Sequence, residues 1–214
     1  NLIENSTLNF DKNQNNDFWL KFMTSELYAK FCVKNNQFKK LAQQSNLVNP
    51  TSNSNFLLGY SNYIAGDVTK AQENFEQSIA LENDTRKKAE IYYTLATSIY
   101  TTLDIEKSII NLKKAIATDA TYGKPYLYLT QMYLASVNIC AKNEFEQKAF
   151  NWLLASTIEK AGIADPKYIK EAQKQKELYL QKTPSKTEIE KLKMGGKILT
   201  FDCYINESIT IPKK

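Results

Sequence analysis

Histidine is absent from the sequence, and Arg86 is the only arginine among its 214 residues. Histidine is the side chain that most often transfers protons near neutral pH, and it is also the commonest metal ligand in proteins. Its absence excludes catalytic triads that need a histidine base and argues against a metal site. Only six glycines occur, without a Gly-rich phosphate-binding fingerprint. The composition therefore predicts a protein that is not an enzyme and that uses no metal ion or other cofactor.

Long apolar runs are also missing. No stretch approaches the roughly 18 residues that a membrane-spanning helix needs, so we expect no direct membrane span. The formal net charge is +5, and nearly all of the positive charge is lysine. Sequence-specific nucleic-acid readers usually depend on arginine, whose planar guanidinium binds bases and phosphates bidentately. We therefore expect proteins or peptides as partners and no nucleic acid. Residues 165–214 contain most of the excess positive charge. This segment is either a solvated basic helix or a docking surface for an acidic partner.

The three cysteines, Cys32, Cys140 and Cys203, are too few and too far apart in sequence to predict a disulfide framework or a zinc site. We expect Cys32 and Cys140 to be buried or half-buried thiols that behave as small apolar side chains. Cys203 is the only candidate nucleophile, in a thiol-dependent enzyme or a redox sensor. The chain contains no histidine that could lower its pKa, so this is the weaker alternative.

The N-terminal part of the chain contains three kinds of segment. Residues 1–16 are polar and rich in asparagine, and they predict a loosely ordered N-terminal segment. Residues 17–48 predict a helix pair, because the run from Asp17 to Val33 is apolar on nearly every side. The cluster of Asn, Pro, Thr and Ser that follows predicts a loop.

After that loop the sequence repeats itself. Residues 55–81 and 92–118 align without a gap, with Leu58 on Leu95 and an offset of 37 residues. This offset equals a basic period of about 34 residues plus a short charged insertion. Each copy contains two helical patterns separated by a turn. A third copy begins at Gly123 with about two extra helical turns before its matching alanine, so we expect both of its helices to be elongated.

Specific residues of these copies resemble the tetratricopeptide (TPR) consensus. In the first copy they are Leu58-Gly59, Gly66-Asp67, Ala71, Phe75 and Ser78. In the second copy they are Tyr92, Leu95-Ala96, Ser108, Leu112 and Ala115. The resemblance implies an all-α, TPR-type solenoid of about three helical hairpins over residues 52–162. It also implies a protein–protein interaction scaffold or adaptor.

The same resemblance implies which residues line the concave face of the solenoid and bind a partner. They are Phe56, Tyr60, Tyr63, Tyr93, Thr97, Tyr100, Leu127, Gln131 and Leu134. A peptide-binding co-chaperone is an alternative function. The TPR clamp for a C-terminal carboxylate needs Lys and Asn at some of these positions, and this chain has Tyr60, Tyr93 and Thr97 there, which argues against that alternative.

Two segments follow the repeats. Residues 165–194 predict capping helices that begin at Asp165-Pro166. In residues 197–211 polar and apolar side chains alternate, which predicts a terminal strand or hairpin. We expect this segment either to pack on the last helices or to complete the sheet of a partner. The partner-binding residues of the tail would be Phe201, Cys203 and Ile205, on its buried side.

The ending resembles that of exported cell-envelope TPR proteins of Bacteroidetes, including flavobacteria. The similar residues are Thr183-Pro184-Ser185-Lys186, Gly195-Gly196 and the stretch from Phe201 to Ser208. The resemblance implies an accessory subunit of a periplasmic or outer-membrane-associated complex. The chain begins with Asn1 and not with Met, which fits either a fragment or removal of an N-terminal segment such as a secretory signal peptide. A cytoplasmic location is the alternative.

Overall fold

The computed structural model describes residues 1–213, and these residues form eleven α-helices and one two-stranded antiparallel sheet. The predicted all-α architecture is confirmed. The chain divides into two compact units, Asn1–Asp104 and residues 105–213, which are described in turn. No helix in the described part of the chain is both long enough and apolar enough to cross a membrane.

The first unit is built from helical hairpins. Its helices are α1 (Leu2–Asn13), α2 (Asp17–Ala29), α3 (Asn36–Val48), α4 (Ser52–Ile64), α5 (Val68–Leu81) and α6 (Thr85–Tyr100). All six begin after a polar residue whose side chain accepts the backbone N–H three positions later. These caps satisfy donors that the first helical turn leaves free. Helix α2 packs on α3, α4 packs on α5, and α5 packs on α6.

The N-terminal segment is helical, which corrects the expectation that residues 1–16 are loosely ordered. The Asn1 side chain accepts the backbone N–H of Glu4, and the Glu4 carboxylate contacts the Asn1 amino group. Phe10 is buried in a core cluster that includes Leu20 and Phe38. The single ring of Phe10 does not produce a helical period of apolar residues that could be recognised in the sequence. Helix α1 is therefore stabilised by its contacts with α2 and α3.

The hairpin α4–α5 shows why the first repeat contains its two glycines. A Cβ on Gly59 would lie 2.9 Å from the ring of Phe75, so the absence of a side chain lets the two helices approach closely. Gly66 lies in the turn with a φ of 83°, a conformation that other residues rarely adopt. Asp67 then caps α5. The repeated residues therefore specify the helix–helix contact and the turn.

Leu95 tests the packing predicted from the second copy of the repeat. Its side chain is 2% exposed and lies in a core cluster with Phe75 and Ile91. Leu95→Ala should lower the free energy of unfolding by about 2–5 kcal/mol, because the neighbours fill the resulting cavity only partly. Leu47→Ala is the control, since Leu47 on α3 is 76% exposed, and it should change stability by less than about 0.5 kcal/mol. Equal stability of the two variants in chemical denaturation would contradict the assignment.

The second unit begins with the second helix of the second repeat and continues with the elongated third repeat. Its elements are α7 (Ile105–Thr118), α8 (Lys124–Cys140), α9 (Glu144–Ala164), α10 (Ile169–Leu180), α11 (Lys186–Lys191), β1 (Ile198–Phe201) and β2 (Glu207–Thr210). Helices α8 and α9 have 17 and 21 residues, against 13 and 14 in α4 and α5. The expected elongation is confirmed. Asp165 caps a short 3₁₀ turn, Pro166–Tyr168, which leads into α10.

The C-terminal segment forms a hairpin on the helices of its own unit. Strands β1 and β2 pair antiparallel, and β1 is shorter than the alternation predicted because residues 202–205 form a turn. Phe201, Ile205 and Ile211 are fully buried. The ring centroid of Phe201 lies 4.5 Å from that of Phe150 on α9. Of the two arrangements predicted for this segment, the structure shows packing on the last helices.

Polar side chains attach the hairpin to α7 and α8. The Lys113 ammonium donates to the backbone carbonyl of Ile205 at 2.9 Å and pairs with the Glu207 carboxylate at 2.8 Å. The Tyr133 hydroxyl donates to the same carboxylate at 2.7 Å. Burial raises the pKa of Tyr133, and the contact with Glu207 adds to this shift. The Glu207 carboxylate therefore contacts polar side chains of two helices, α7 and α8.

A disulfide bond also holds the hairpin. Cys140 at the end of α8 bonds to Cys203, and their Cα atoms are 5.4 Å apart. The expectation of a buried free thiol at Cys140 is therefore wrong. The argument from distance in sequence also fails for this pair, because the hairpin folds back across 63 residues onto α8. Within the described residues, Cys32 is the free cysteine, and it is partly buried.

Candidate protein-binding surface

The first unit contains a cluster of aromatic side chains at positions predicted to face a groove. Phe56, Tyr60 and Tyr63 follow one another along α4, and all three are partly exposed. The ring centroids of Phe56 and Tyr60 are 6.3 Å apart, and those of Tyr60 and Tyr63 are 6.1 Å apart. Phe56 also lies 5.7 Å from buried Phe75, which ties its ring to the core. The structure therefore brings three of the predicted site residues together.

Tyr28 of α2 extends this cluster, and the sequence analysis missed it. Its ring meets Phe56 and Tyr60 edge-on, with centroids 5.5 and 5.0 Å away. Such edge-to-face pairs are favourable because the positive rim of one ring meets the negative face of the other. Burial raises the pKa of Tyr28, and the nearby Tyr60 and Glu90 add to this shift. The N-terminal helix pair therefore forms one wall of the cluster.

Phe18 and Phe22 of α2 are also outside the set predicted from the sequence. They are 80% and 52% exposed, whereas Leu20, Met23 and Leu27 on the same helix are buried.

Ser25 lies on the same stripe of α2 as these two phenylalanines. Its hydroxyl accepts a hydrogen bond from the Asn53 side chain at 3.3 Å, so the Ser25 end of the stripe lies beside the start of α4. The spacing of Phe18, Phe22 and Ser25 marks one face of a helix in the sequence. The TPR-like repeat pattern begins only at residue 52, so it does not include these three residues. We call Phe18, Phe22, Phe56, Tyr60 and Tyr63 the aromatic face.

The other predicted groove residues form one triplet on each of two helices. The triplet on α6 belongs to the first unit, and its three side chains are partly exposed. The triplet on α8 belongs to the second unit, where one side chain is partly buried and two are exposed. Within each triplet the spacing places the residues on one helical face. The residues are Tyr93, Thr97 and Tyr100 on α6, and Leu127, Gln131 and Leu134 on α8.

The tail residues predicted to bind a partner are engaged within the chain. Phe201 and Ile205 are fully buried against helices of the second unit, and Cys203 is bonded to Cys140. The structure thus corrects their assignment as partner-binding residues. The physical reason is that β2 supplies a pairing strand and α8 and α9 cover the apolar side of the hairpin.

A concavity lies between α9 and α10 in the second unit. It has a volume of about 570 Å³ and includes Gly162, Ile163, Pro166 and Ile169 in its lining. Its lining also includes the polar residues Glu159, Gln173, Lys176 and Glu177, and the Lys176 ammonium pairs with the Glu159 carboxylate at 2.5 Å. Among the described residues, no group of three or more His, Cys, Asp or Glu side chains is placed to hold a metal ion.

Comparisons with known proteins bear on the fold. No protein-family model matches the chain, and no curated protein matches it. A crystal structure of MamA protein matches with a TM-score of 0.58 and 17% identity, covering 78% of this chain and 83% of that chain. A second crystal structure of MamA gives a TM-score of 0.55 and 16% identity, covering 84% and 89%. MamA is a TPR protein.

The chain has a TPR-like helical-repeat fold. The TPR-type fold class predicted from the repeated residues is therefore confirmed. At this level of identity the likeness concerns the fold. Within the two units, α2, α4 and α8 are the first helices of the hairpins α2–α3, α4–α5 and α8–α9.

Proposed function

We propose that this protein is a non-catalytic scaffold that binds other proteins or peptides through the aromatic face. TPR-like repeats display extended surfaces that suit this role. Aromatic side chains are common at binding hot spots, because each buries a large area at a small cost in conformational entropy. The observations that support the proposal most strongly are the cluster of partly exposed rings on α4 and the exposure of Phe18 and Phe22 on α2.

We also propose that the protein is an accessory subunit of a cell-envelope complex, periplasmic or associated with the outer membrane. The disulfide between Cys140 and Cys203 supports this location. Disulfides persist in exported compartments and are rare in the cytosol, where thiols are kept reduced. The resemblance of the C-terminal sequence to exported TPR proteins of Bacteroidetes supports the same location.

The two alternative functions have less support. A thiol-dependent enzyme or redox sensor needs a thiolate at Cys203, and in the structure this sulfur is bonded to Cys140. A peptide-binding co-chaperone of the carboxylate-clamp type needs cationic and amide side chains where this chain has Tyr60, Tyr93 and Thr97.

The proposal predicts that partner recovery depends on the aromatic face. Tagged protein purified from its native organism under gentle extraction should bring down a partner. The double variant Phe22→Ala/Tyr60→Ala should recover at least about tenfold less of it, since truncation of two hot-spot rings typically costs more than about 1 kcal/mol each. Leu8→Ala is the matched control, because Leu8 on α1 is 76% exposed and lies outside the aromatic face.

Circular dichroism of both variants should show that their helical content is unchanged. A protein recovered alone would contradict the scaffold function. Full recovery of the partner by the folded double variant would contradict the aromatic face as its binding surface.

A further inference from the structure

A small recess opens beside the aromatic face, between the start of α4 and the start of α6. Its volume is about 230 Å³, smaller than the pockets that usually hold drug-sized ligands and suited to a single side chain. Phe56 and Ile91 provide its apolar surface. The remaining lining residues are polar or charged, namely Ser52, Asn53, Glu82, Lys87 and Glu90.

Glu82 is a fixed negative charge in this recess. Burial opposes its charged form, but the backbone N–H groups of Asp84 and Asn83 and the Ser52 hydroxyl donate to the carboxylate at 2.9, 3.0 and 2.8 Å. Together these donors, with a smaller contribution from the positive charge of Lys87, hold the pKa of Glu82 below its usual value. The carboxylate therefore stays ionised at neutral pH, and its position is set by three hydrogen bonds.

Glu90 is the second negative charge and is exposed. Glu90 lines the recess, and its negative charge helps to raise the pKa of the Tyr28 phenol. Among the described residues, neither Glu82 nor Glu90 belongs to an ion pair. Two carboxylates therefore share the recess with the single ammonium group of Lys87.

One aromatic ring of the aromatic face, that of Phe56, lines the recess. The ring of Tyr28 stands nearly perpendicular to those of Phe56 and Tyr60, at 84° and 88°. The faces of such rings attract cations through their quadrupole. The apolar surface of Phe56 and Ile91 beside two carboxylates matches a side chain with an aliphatic stem and a cationic head.

We propose that this recess receives a lysine or arginine side chain of the bound partner. This inference rests on the proposed scaffold function and specifies the partner chemistry at the same surface. The stem packs on Phe56 and Ile91, and the cationic head lies beside Glu90 and Glu82. An acidic side chain in the same place would be repelled by the two carboxylates.

Three blocked peptides test the inference, acetyl-Ala-Leu-Xaa-Leu-Ala-amide with Arg, Gln or Glu at Xaa. Their binding is followed by amide chemical shifts in nuclear magnetic resonance spectra of the full chain. The Arg peptide should bind about fivefold more tightly than the Gln peptide, which is about 1 kcal/mol, and the Glu peptide should bind most weakly. Glu90→Gln should reduce the preference for Arg to less than about twofold. Glu76→Gln, a change of an exposed carboxylate on α5, should leave it intact.

Phe56→Leu provides a second variant that keeps most of the apolar volume and removes the ring, and it too should weaken the preference for Arg. The Arg and Gln peptides could bind the unmodified protein equally well, with chemical-shift changes confined to α2, α4 and α6. That result overturns the inference of a cationic side chain and leaves the scaffold function standing. Failure of all three peptides to bind contradicts both the inference and the aromatic face as a binding surface.

Discussion

Replacing both Cys140 and Cys203 with serine should lower the free energy of unfolding by about 2–5 kcal/mol, the largest loss that we expect from a conservative change in this chain. The bond spans 63 residues of sequence, so its removal releases a long loop in the unfolded state. It also removes the covalent link between the hairpin and α8. Thermal denaturation of the double variant and the unmodified protein measures the difference.

Cys32→Ser is the control, because Cys32 is a free cysteine outside the second unit. It should leave the melting temperature nearly unchanged. Dithiothreitol should destabilise the unmodified protein and the Cys32 variant, and it should not affect the double serine variant. An unmodified protein that melts at the same temperature with and without the reductant would show that the bond does not stabilise the fold.

Phe75→Ala should lower the free energy of unfolding by about 3–5 kcal/mol. Its ring is fully buried and fills the space against Gly59, and its centroid lies 5.7 Å from the ring centroid of Phe56. Its removal therefore leaves a large cavity and also withdraws the support beneath the aromatic face. Chemical denaturation measures the stability, and the peptide titrations measure the effect on binding.

Phe18→Ala is the matched control within the same unit. Phe18 is 80% exposed, so its truncation should change stability by less than about 0.5 kcal/mol. The same substitution should weaken peptide binding if the aromatic face is the binding surface. Comparable stability losses for the two phenylalanine variants would mean that the core of the first unit is assigned incorrectly.

Much of the fold could be predicted because the relevant residues repeat along the chain. Leu58, Gly59 and Phe75 recur as Leu95, Ala96 and Leu112, and such a pattern arises where each repeat makes the same internal contact. The elongation of α8 and α9 followed from the longer spacing of the third copy. These are local features, in which residues close in sequence define the helix, its turn and its packing face.

The candidate site was predicted in part. Phe56, Tyr60 and Tyr63 followed from their repeat positions, and they lie together on α4. Tyr28 and Glu90 were missed because neither belongs to a pattern that marks a groove. Only the packing of α2 on α4 brings Tyr28 to the rings of Phe56 and Tyr60, and only the tertiary structure places Glu90 in one recess with Phe56.

The sequence by itself determined the class of the protein: an all-α chain with TPR-type repeats, elongated third-repeat helices and no histidine-dependent chemistry. The tertiary structure alone decided that residues 2–13 form a helix, that Cys140 bonds to Cys203, and that the hairpin packs on its own unit. The physical reason is the range of the interactions. Helix caps, turns and helical periods depend on residues a few positions apart, whereas a disulfide across 63 residues, or a ring buried against another helix, depends on how the chain folds back on itself.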